Sequence, residues 1–261
     1  MAGPVGAHPE FQQNNYKPWK NFYSVFLKNA GPDLDALAMH YYDTYQQGGS
    51  TDAASSDYLV RSGSNLEAVL DLQEAYALAT LNKVLPQLVS EYGSGFKVKG
   101  IEYSPVHDWW VLRGVNSKMM QLMNRPDRVV KAIPFIVGKA IWHVASDGPT
   151  ADDSSTTPYP FVLWRNTKRQ VAGKNRATDT WSETHLHKFY QMWEELPDGA
   201  QRFAVDSDDA NVQVQGFRSA GGGTGSLSTL FVAINSLRPW KAGGMPTMVD
   251  LSWVVEGTSF R

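Results

Sequence analysis

Glu91 is the residue whose surroundings in the sequence best suit it for chemistry. It follows residues 85–89 (LPQLV), a short apolar run typical of a buried parallel strand, and it precedes Tyr92 and Gly93. Active sites of α/β folds open at the carboxyl ends of such strands. A carboxylate there could act as the nucleophile of a glycosidase, with the Tyr92 hydroxyl as a hydrogen-bond donor. The residues alone equally allow a glutamate that only caps the following loop.

A second polar cluster follows the apolar run 34–39. His40, Tyr42 and Asp43 offer several hydrogen-bond donors and acceptors, which suits the binding of sugar hydroxyls. A metal site would need further ligands at matched spacing, and no His-x-x-x-His or similar motif supplies them. We therefore expect neither a metal nor another cofactor.

Aromatic residues form a third group of candidates. The chain has nine Trp, eleven Tyr and eleven Phe, and exposed aromatic rings can stack on the apolar faces of sugars, although large proteins also use such residues as core. Trp142 and His143 follow the apolar run 133–137, and Trp164 lies in the loop beyond it, so these three could line the same cleft. Trp109 and Trp110 are predicted to lie in the core or on a helix face, and His185 and His187 are predicted to be surface residues.

The elements that must position these residues alternate between helix and strand from about residue 17 to 145. Ser64 and Glu67 form a capping-box pattern, which predicts a helix with Ser64 at its N-cap. This order predicts a parallel α/β sheet. The predicted helices cover 19–29, 64–81, 108–123 and a short segment opened by Pro126, and the predicted strands cover 34–40, 85–89 and 133–137.

The pattern changes after residue 145. A polar loop over 147–158 leads to an amphipathic helix that carries Leu186, Phe189 and Trp193 and ends near Gly199. Beyond it the sequence reads as β-structure, with predicted strands at 202–205, 211–217, 229–237 and 248–255 and a glycine-rich hairpin at 220–226. We therefore predict an α/β domain over 1–199 and a small antiparallel β-domain over 200–261, which is expected to be truncated after about four strands.

Composition excludes several classes of function. A net charge of −2 gives no electrostatic reason to bind nucleic acid or an anionic membrane. The absence of cysteine excludes a disulfide scaffold and thiolate metal sites. No apolar run approaches the roughly 20 residues needed to span a bilayer, and the first residues lack the features of a signal peptide.

Several ordered motifs give the chain a resemblance to a known family. They include residues 3–11 (GPVGAHPEF), 35–44 (DALAMHYYDT), 61–67 (RSGSNLE), 90–93 (SEYG) and 125–128 (RPDR), followed by 232–237 (VAINSL). In this order they resemble glycoside hydrolase family 86, the β-agarases and β-porphyranases, over nearly the whole chain. Each motif is short, so their order carries more weight than any one of them.

The resemblance implies a partial (β/α)8 TIM barrel, strands five to eight, followed by the β-domain. It implies retaining hydrolysis of β-1,4-galactosidic bonds in agarose or porphyran, with Glu91 as the nucleophile at the end of the seventh strand. The strands that end near His40 and at Trp142 would be the sixth and eighth. The family's acid/base glutamate is expected on the fourth strand, upstream of Gly3, and Glu10 lies in a loop after the fifth strand. The missing N-terminal half of the barrel is then an expected partner, and a secreted or periplasmic location is expected from the family.

Two other interpretations stay open at this point. A chain without the acid/base glutamate could be an inactive or vestigial fragment that only binds carbohydrate. The same type of barrel could also act as a retaining glycosidase on a different β-linked polysaccharide. The sequence does not distinguish agarose from porphyran, since a sulfate pocket depends on how distant Arg and His side chains are placed.

Overall fold

The computed structural model describes residues 1–6, 11–46, 57–59, 62–97, 105–139, 161–166, 181–219 and 229–237. The chain divides into two compact units, Met1–His187 and Lys188–Arg261. The predicted boundary at residue 199 lies further along the chain, beyond the helix that begins at His187. No described helix is long and apolar enough to cross a membrane.

The first unit contains most of the regular structure. Its strands are β1 (Ala2–Gly3), β2 (Ala36–Gln46), β3 (Asp57–Leu59), β4 (Gln87–Lys97), β5 (Val129–Pro134), β6 (Trp164–Asn166) and β7 (Trp181–Glu183). Its helices are α1 (Gln13–Pro18), a π-helical turn (Trp19–Tyr23), α2 (Ser24–Ala30), a 3-10 turn (Gly31–Asp33), α3 (Ser64–Leu81) and α4 (Pro105–Leu122). The second unit has α5 (His187–Glu194), β8 (Gln201–Phe203), β9 (Val212–Arg218) and β10 (Leu230–Ser236).

The main sheet of the first unit is parallel. Its strands lie in the order β1-β2-β4-β5, and β3 adds to β2 in antiparallel fashion. Helix α3 connects β2 to β4 along the chain, and α4 connects β4 to β5, as parallel pairing requires. The predicted parallel α/β sheet is thus confirmed. β6 and β7 form a separate antiparallel pair.

The two central strands are not in simple register. Met39 pairs with Val89, but the next residue of β2, His40, pairs with Glu91, so Ser90 is an extra residue in β4. The pairing of β4 with β5 shows the same interruption, between Val89 and Tyr92. This is a one-residue β-bulge, and it lies at the predicted functional position.

The helix predicted over 19–29 is present but irregular. Its first turn is π-helical, which is wider than an α-helix and shifts the side chains that follow around the axis. Trp19 and Leu27 are buried, while Phe22 is 56% exposed although its spacing had placed it on the apolar face. Trp19 packs edge-on against Phe11 with ring centroids 4.9 Å apart.

The capping box predicted for α3 is wrong. Gly63, with a φ of 82°, occupies the N-cap, and Ser64 is already the first helical residue. A positive φ favours glycine here. Glu67 does not turn back to the helix start; its carboxylate accepts hydrogen bonds from Gln121 and Arg125 instead. Bonds to α4 and the segment after it, rather than a local cap, therefore hold the start of α3.

The segment around β5 also differs from the prediction. Pro126 lies in a turn that closes onto the strand through the bond from the Val129 N–H to the Arg125 carbonyl, and it opens no helix. The strand itself begins at Val129 and ends at Pro134, earlier than the predicted 133–137. It is also less buried than predicted, with Val130 67% exposed, because β5 is an edge strand among the described residues.

The second unit is an antiparallel sheet with strand order β10-β9-β8. An aromatic cluster joins α5 to this sheet, since Trp193 lies 6.3 Å from Phe217 and 5.8 Å from Phe231 between ring centroids. The predicted antiparallel β-structure is confirmed for these strands. The predicted hairpin at 220–226, the strand at 248–255 and the loop at 147–158 lie outside the described residues.

Helix α4 packs unusually close to the central strands at Gly114. A methyl group at this position would lie 2.4 Å from Ser94 Cβ on β4 and 3.4 Å from Asp43 Oδ2 on β2. Real Cβ atoms do not approach as closely as the first distance, so glycine is required for the helix to reach the strands. Gly114 therefore fixes the separation between α4 and the sheet.

We expect Gly114→Ala to lower the free energy of unfolding by about 1–2 kcal/mol. Alanine in a helix interior gains up to about 1 kcal/mol over glycine, but overpacking of a core costs about 1–3 kcal/mol. Gly138→Ala is the matched control, since a methyl group there would meet nothing within 4 Å. Denaturant unfolding would measure both, and a stabilised Gly114→Ala variant would contradict the close packing.

Candidate active site

Glu91 lies beside two donors from the neighbouring strand. The Tyr42 hydroxyl donates a hydrogen bond of 2.7 Å to Glu91 Oε2. His40 Nδ1 lies 3.2 Å from the same oxygen. The Glu91 side chain is 33% exposed and that of His40 is 16% exposed, so the group is accessible while its partners are largely shielded. One carboxylate oxygen is thus held, and the carboxylate remains open to solvent.

The bulge at Ser90 brings these three side chains to one face of the sheet. In paired strands, residues directly opposite each other point to the same face, and successive residues alternate. His40 is opposite Glu91 and Tyr42 is opposite Gly93, so all lie on one face. The pairs Met39–Val89 and Tyr41–Tyr92 lie on the other face and are buried.

Aromatic rings surround the Tyr42 side of the site. The Tyr42 ring lies 6.2 Å from Phe135 and 6.0 Å from Phe161 between centroids, and those two phenylalanines lie 5.4 Å from each other. All three pairs are edge-to-face, a favourable geometry for aromatic rings. Phe135 follows β5 directly, so the aromatic cluster extends the site from β2 to the end of β5.

Asp43 does not face the same side as His40 and Tyr42. Its side chain is 1% exposed and forms an ion pair of 2.6 Å with Lys118 Nζ, which is itself 0% exposed. The Ser62 N–H and hydroxyl also donate to the Asp43 carboxylate, at 3.1 Å and 3.0 Å. The sequence analysis placed Asp43 among the sugar-binding residues, but its position behind the strand suits structural support of the site.

The remaining predicted site residues are distributed differently. Tyr92 is 2% exposed on the buried face of β4, so the hydroxyl that reaches Glu91 belongs to Tyr42 and not to Tyr92. Trp164 begins β6 and is 38% exposed. Trp142 and His143 lie outside the described residues. His185 bonds to Asp108 through its backbone N–H, at 2.6 Å.

Lys118 and Phe161 are two residues of the site that were not predicted from the sequence. For Lys118 a signal existed, because Val111, Val115, Lys118 and Leu122 follow the spacing of one helix face and are all buried. A lysine on an apolar stripe requires a buried anion, and Asp43 provides it. Phe161 carried no comparable signal, since no periodic pattern surrounds it.

The described residues offer no evident metal site. No three His, Cys, Asp or Glu side chains in the described ranges group closely enough to hold a metal ion. Glu91 lies in the interior of β4, which continues to Lys97, and not at the end of the strand as predicted. A partly exposed glutamate beside a tyrosine hydroxyl and a histidine suits the class of hydrolases that use a carboxylate as acid, base or nucleophile.

Comparison with known proteins identifies the relatives within that class. No family model matches the chain. A β-agarase of Pseudoalteromonas atlantica is 31% identical over 210 residues, which cover 80% of this chain and 37% of that protein. The chain thus spans about a third of the length of this relative.

Two solved structures give the same result. One is the family 86 enzyme BuGH86 in complex with neoagarooctaose, with a TM-score of 0.68, 26% identity, and coverage of 84% of this chain and 32% of that chain. The other is a family 86 β-porphyranase from the human gut bacterium Bacteroides plebeius, with a TM-score of 0.68, 28% identity, and coverage of 90% and 36%. The resemblance to glycoside hydrolase family 86 is therefore confirmed over most of this chain, which is related to polysaccharide-degrading glycosidases.

We expect Lys118→Met to lower the free energy of unfolding by about 3–5 kcal/mol, because it leaves the buried Asp43 carboxylate without its cation. Asp43→Asn combined with Lys118→Met should cost much less, since it removes both buried charges. Denaturant unfolding measures both variants. Lys28→Met, on an exposed residue of α2, is the control and should change stability by at most about 0.5 kcal/mol. Equal losses in the single and double variants would contradict the ion pair.

Proposed function

We propose that this chain carries the nucleophile of a retaining glycosidase that cleaves β-1,4-galactosidic bonds in red-algal galactans. The observation that carries the proposal is the Glu91 carboxylate, held through Oε2 by the Tyr42 hydroxyl and faced by His40. Its exposure leaves room for a sugar to approach. The family relationship supports the type of reaction.

Each group would have a defined role in this reaction. A Glu91 oxygen bonds to the anomeric carbon of a galactosyl unit while the glycosidic C–O bond breaks and the leaving oxygen takes a proton from an acid. Water then attacks the same carbon, gives its proton to that group now acting as a base, and frees Glu91. Tyr42 and His40 would hold Oε2, so that Oε1 is the oxygen directed at the sugar.

A second carboxyl group is needed about 5–5.5 Å from the nucleophile. Asp43 does not suit this role, since Lys118 and Ser62 engage its carboxylate on the far side of the strand. We assign the acid/base to a preceding half-barrel that would pair with β1 and β5, the strands at the edges of the sheet among the described residues. The exposure of Val130 (67%) and Ile133 (40%) on β5 supports a covering partner there, because parallel strands are normally buried on both faces.

Agarose and porphyran are the proposed substrates. The solved relatives include an enzyme bound to neoagarooctaose and a β-porphyranase, and we extend both ligand classes to this site. Both polymers contain β-linked galactose, the unit that Glu91 would attack. Since these polymers are extracellular, we also propose that the protein acts outside the cytoplasm.

An activated substrate tests the role of Glu91 without the acid/base. Dinitrophenolate leaves without protonation, so the dinitrophenyl β-glycoside of a neoagaro-oligosaccharide needs only the nucleophile for the first step. We expect the full chain to release about one equivalent of dinitrophenolate in a burst and to carry one glycosyl group on Glu91, detected by mass spectrometry of peptides. Glu91→Gln should abolish the burst, while Glu194→Gln, on an exposed helix residue, should not change it.

The same experiment distinguishes the other interpretations. An adduct that forms from a dinitrophenyl cellobioside but not from the neoagaro-oligosaccharide would indicate a glycosidase for a different β-linked polysaccharide. Saturable binding of neoagaro-oligosaccharide without any burst or adduct would indicate a carbohydrate-binding module. A burst that survives Glu91→Gln would show that Glu91 is not the nucleophile.

We expect Tyr42→Phe to slow the burst by roughly 10- to 100-fold. The hydroxyl fixes the position of the carboxylate, and a displacement of about 1 Å at a catalytic group can cost on the order of 100-fold in rate. Tyr190→Phe, in the second unit, is the matched control and should leave the rate unchanged. An unchanged burst rate in Tyr42→Phe would show that its hydroxyl does not support the nucleophile.

A further inference from the structure

A buried polar cluster lies directly behind the Tyr42–Glu91 hydrogen bond. Asp43 follows Tyr42 on β2, so its side chain points to the opposite face of the sheet and meets Lys118 of α4 at 2.6 Å. The Ser62 hydroxyl connects the two, donating to Asp43 at 3.0 Å and accepting from Lys118 at 3.3 Å. A strand, a helix and a turn therefore meet at one carboxylate.

The cluster also reaches the strand that carries Glu91. Ser94 of β4 is opposite Asp43 in the sheet register, and Tyr42 is opposite Gly93. Gly114 lets α4 approach until a methyl group on it would lie 3.4 Å from Asp43 Oδ2. Helix α4 is thus in close contact with the segments of both strands that hold the site.

The same helix fixes the turn that supplies Ser62. The Gly63 N–H donates to Gln121 Oε1 at 2.8 Å, and Gln121 Nε2 donates to the Gly63 carbonyl at 2.7 Å. These two hydrogen bonds hold both backbone polar groups of Gly63, and Gln121 lies on α4 close after Lys118. The donors that surround Asp43 are therefore anchored to a single helix.

We propose that the Asp43–Lys118 ion pair is a positioning device that holds the Tyr42 hydroxyl against Glu91. The inference rests on the proposed function for the importance of that hydrogen bond. Stability alone does not account for the pair, because a buried ion pair is often no more stabilising than apolar residues of the same volume. An ion pair does fix the direction and distance between its two charged groups, which apolar contacts do less well. This precision matters because a displacement of about 1 Å at a catalytic group can cost on the order of 100-fold in rate.

The test uses a spectroscopic signal from Tyr42 that does not depend on turnover. The full chain is labelled with 3-fluorotyrosine, and the Tyr42 resonance is assigned in 19F spectra by its loss in Tyr42→Phe. Spectra are recorded near pH 6, where tyrosine is protonated. Glu91→Gln supplies the reference shift for an altered hydrogen-bond acceptor.

The key variant combines Asp43→Asn with Lys118→Met, which removes both buried charges. We expect its Tyr42 signal to move toward the Glu91→Gln position or to split into two, while the Tyr190 signal stays unchanged. Ser62→Ala keeps both buried charges and replaces the double variant in the test if that variant does not fold. The Tyr42 signal of Ser62→Ala should move in the same direction by a smaller amount.

Leu27→Ala is the control for general loss of stability. Leu27 is a buried residue of α2, outside the polar cluster around Asp43, so its truncation should lower the melting temperature without moving the Tyr42 signal. A wild-type Tyr42 signal in the folded double variant would overturn the proposal, as would a wild-type signal in Ser62→Ala if the double variant does not fold. An equal displacement of the Tyr42 signal in Leu27→Ala would also overturn it. A displaced signal in a chain that gives no dinitrophenolate burst would refute the proposed chemistry and leave the coupling intact.

Discussion

The extra residue at Ser90 is the constraint on which the site depends. With continuous register, Glu91 would be opposite Tyr41 and would face the helices beside Met39 and Tyr41, which are almost fully buried. An ionised carboxylate without a partner in such surroundings costs several kcal/mol. A single-residue shift turns the side chain to the opposite face of the sheet, where His40 and Tyr42 lie. One bulge therefore decides whether this glutamate is a buried charge among apolar residues or an accessible carboxylate.

The orientation of Tyr42 has a consequence on the other side of the sheet. Because successive strand residues alternate, a Tyr42 that faces Glu91 forces Asp43 into the helical layer. A buried aspartate needs a cation or several donors, and Lys118 and Ser62 supply both. Gly114 then allows α4 to approach closely enough for the lysine to reach. The chemistry at the front of the strand and the packing behind it are thus one arrangement.

Much of this arrangement could be predicted from the sequence, and there are physical reasons why the remaining features could not. The parallel strands that carry His40 and Glu91 were predicted from their apolar runs, but β2 and β4 continue to Gln46 and Lys97 beyond the predicted ends. The bulge was not predictable, because Ser90 is no special turn residue and only the pairing of three strands reveals it. The capping box failed because tertiary bonds to α4 replaced a local cap, as Gly63 shows. The alternation of side chains along a strand would have predicted that Asp43 and Tyr42 face opposite sides of the sheet.

The neighbours of Glu91 also bear on where a second carboxyl group must come from. Adjacent strands lie about 4.8 Å apart, so the closest positions beside Glu91 belong to β2 and β5. On β2 they are occupied by His40 and Tyr42, and beyond β4 the chain places Pro134 and Phe135, whose N–H bonds to the Tyr92 carbonyl. None of these described neighbours is a carboxylic acid. In the retaining reaction that we propose, a second carboxyl group about 5–5.5 Å from Glu91 would therefore approach across the cleft. Strands that face Glu91 when a parallel sheet curls and closes would offer such a position, and this is why the proposal assigns the acid/base to them.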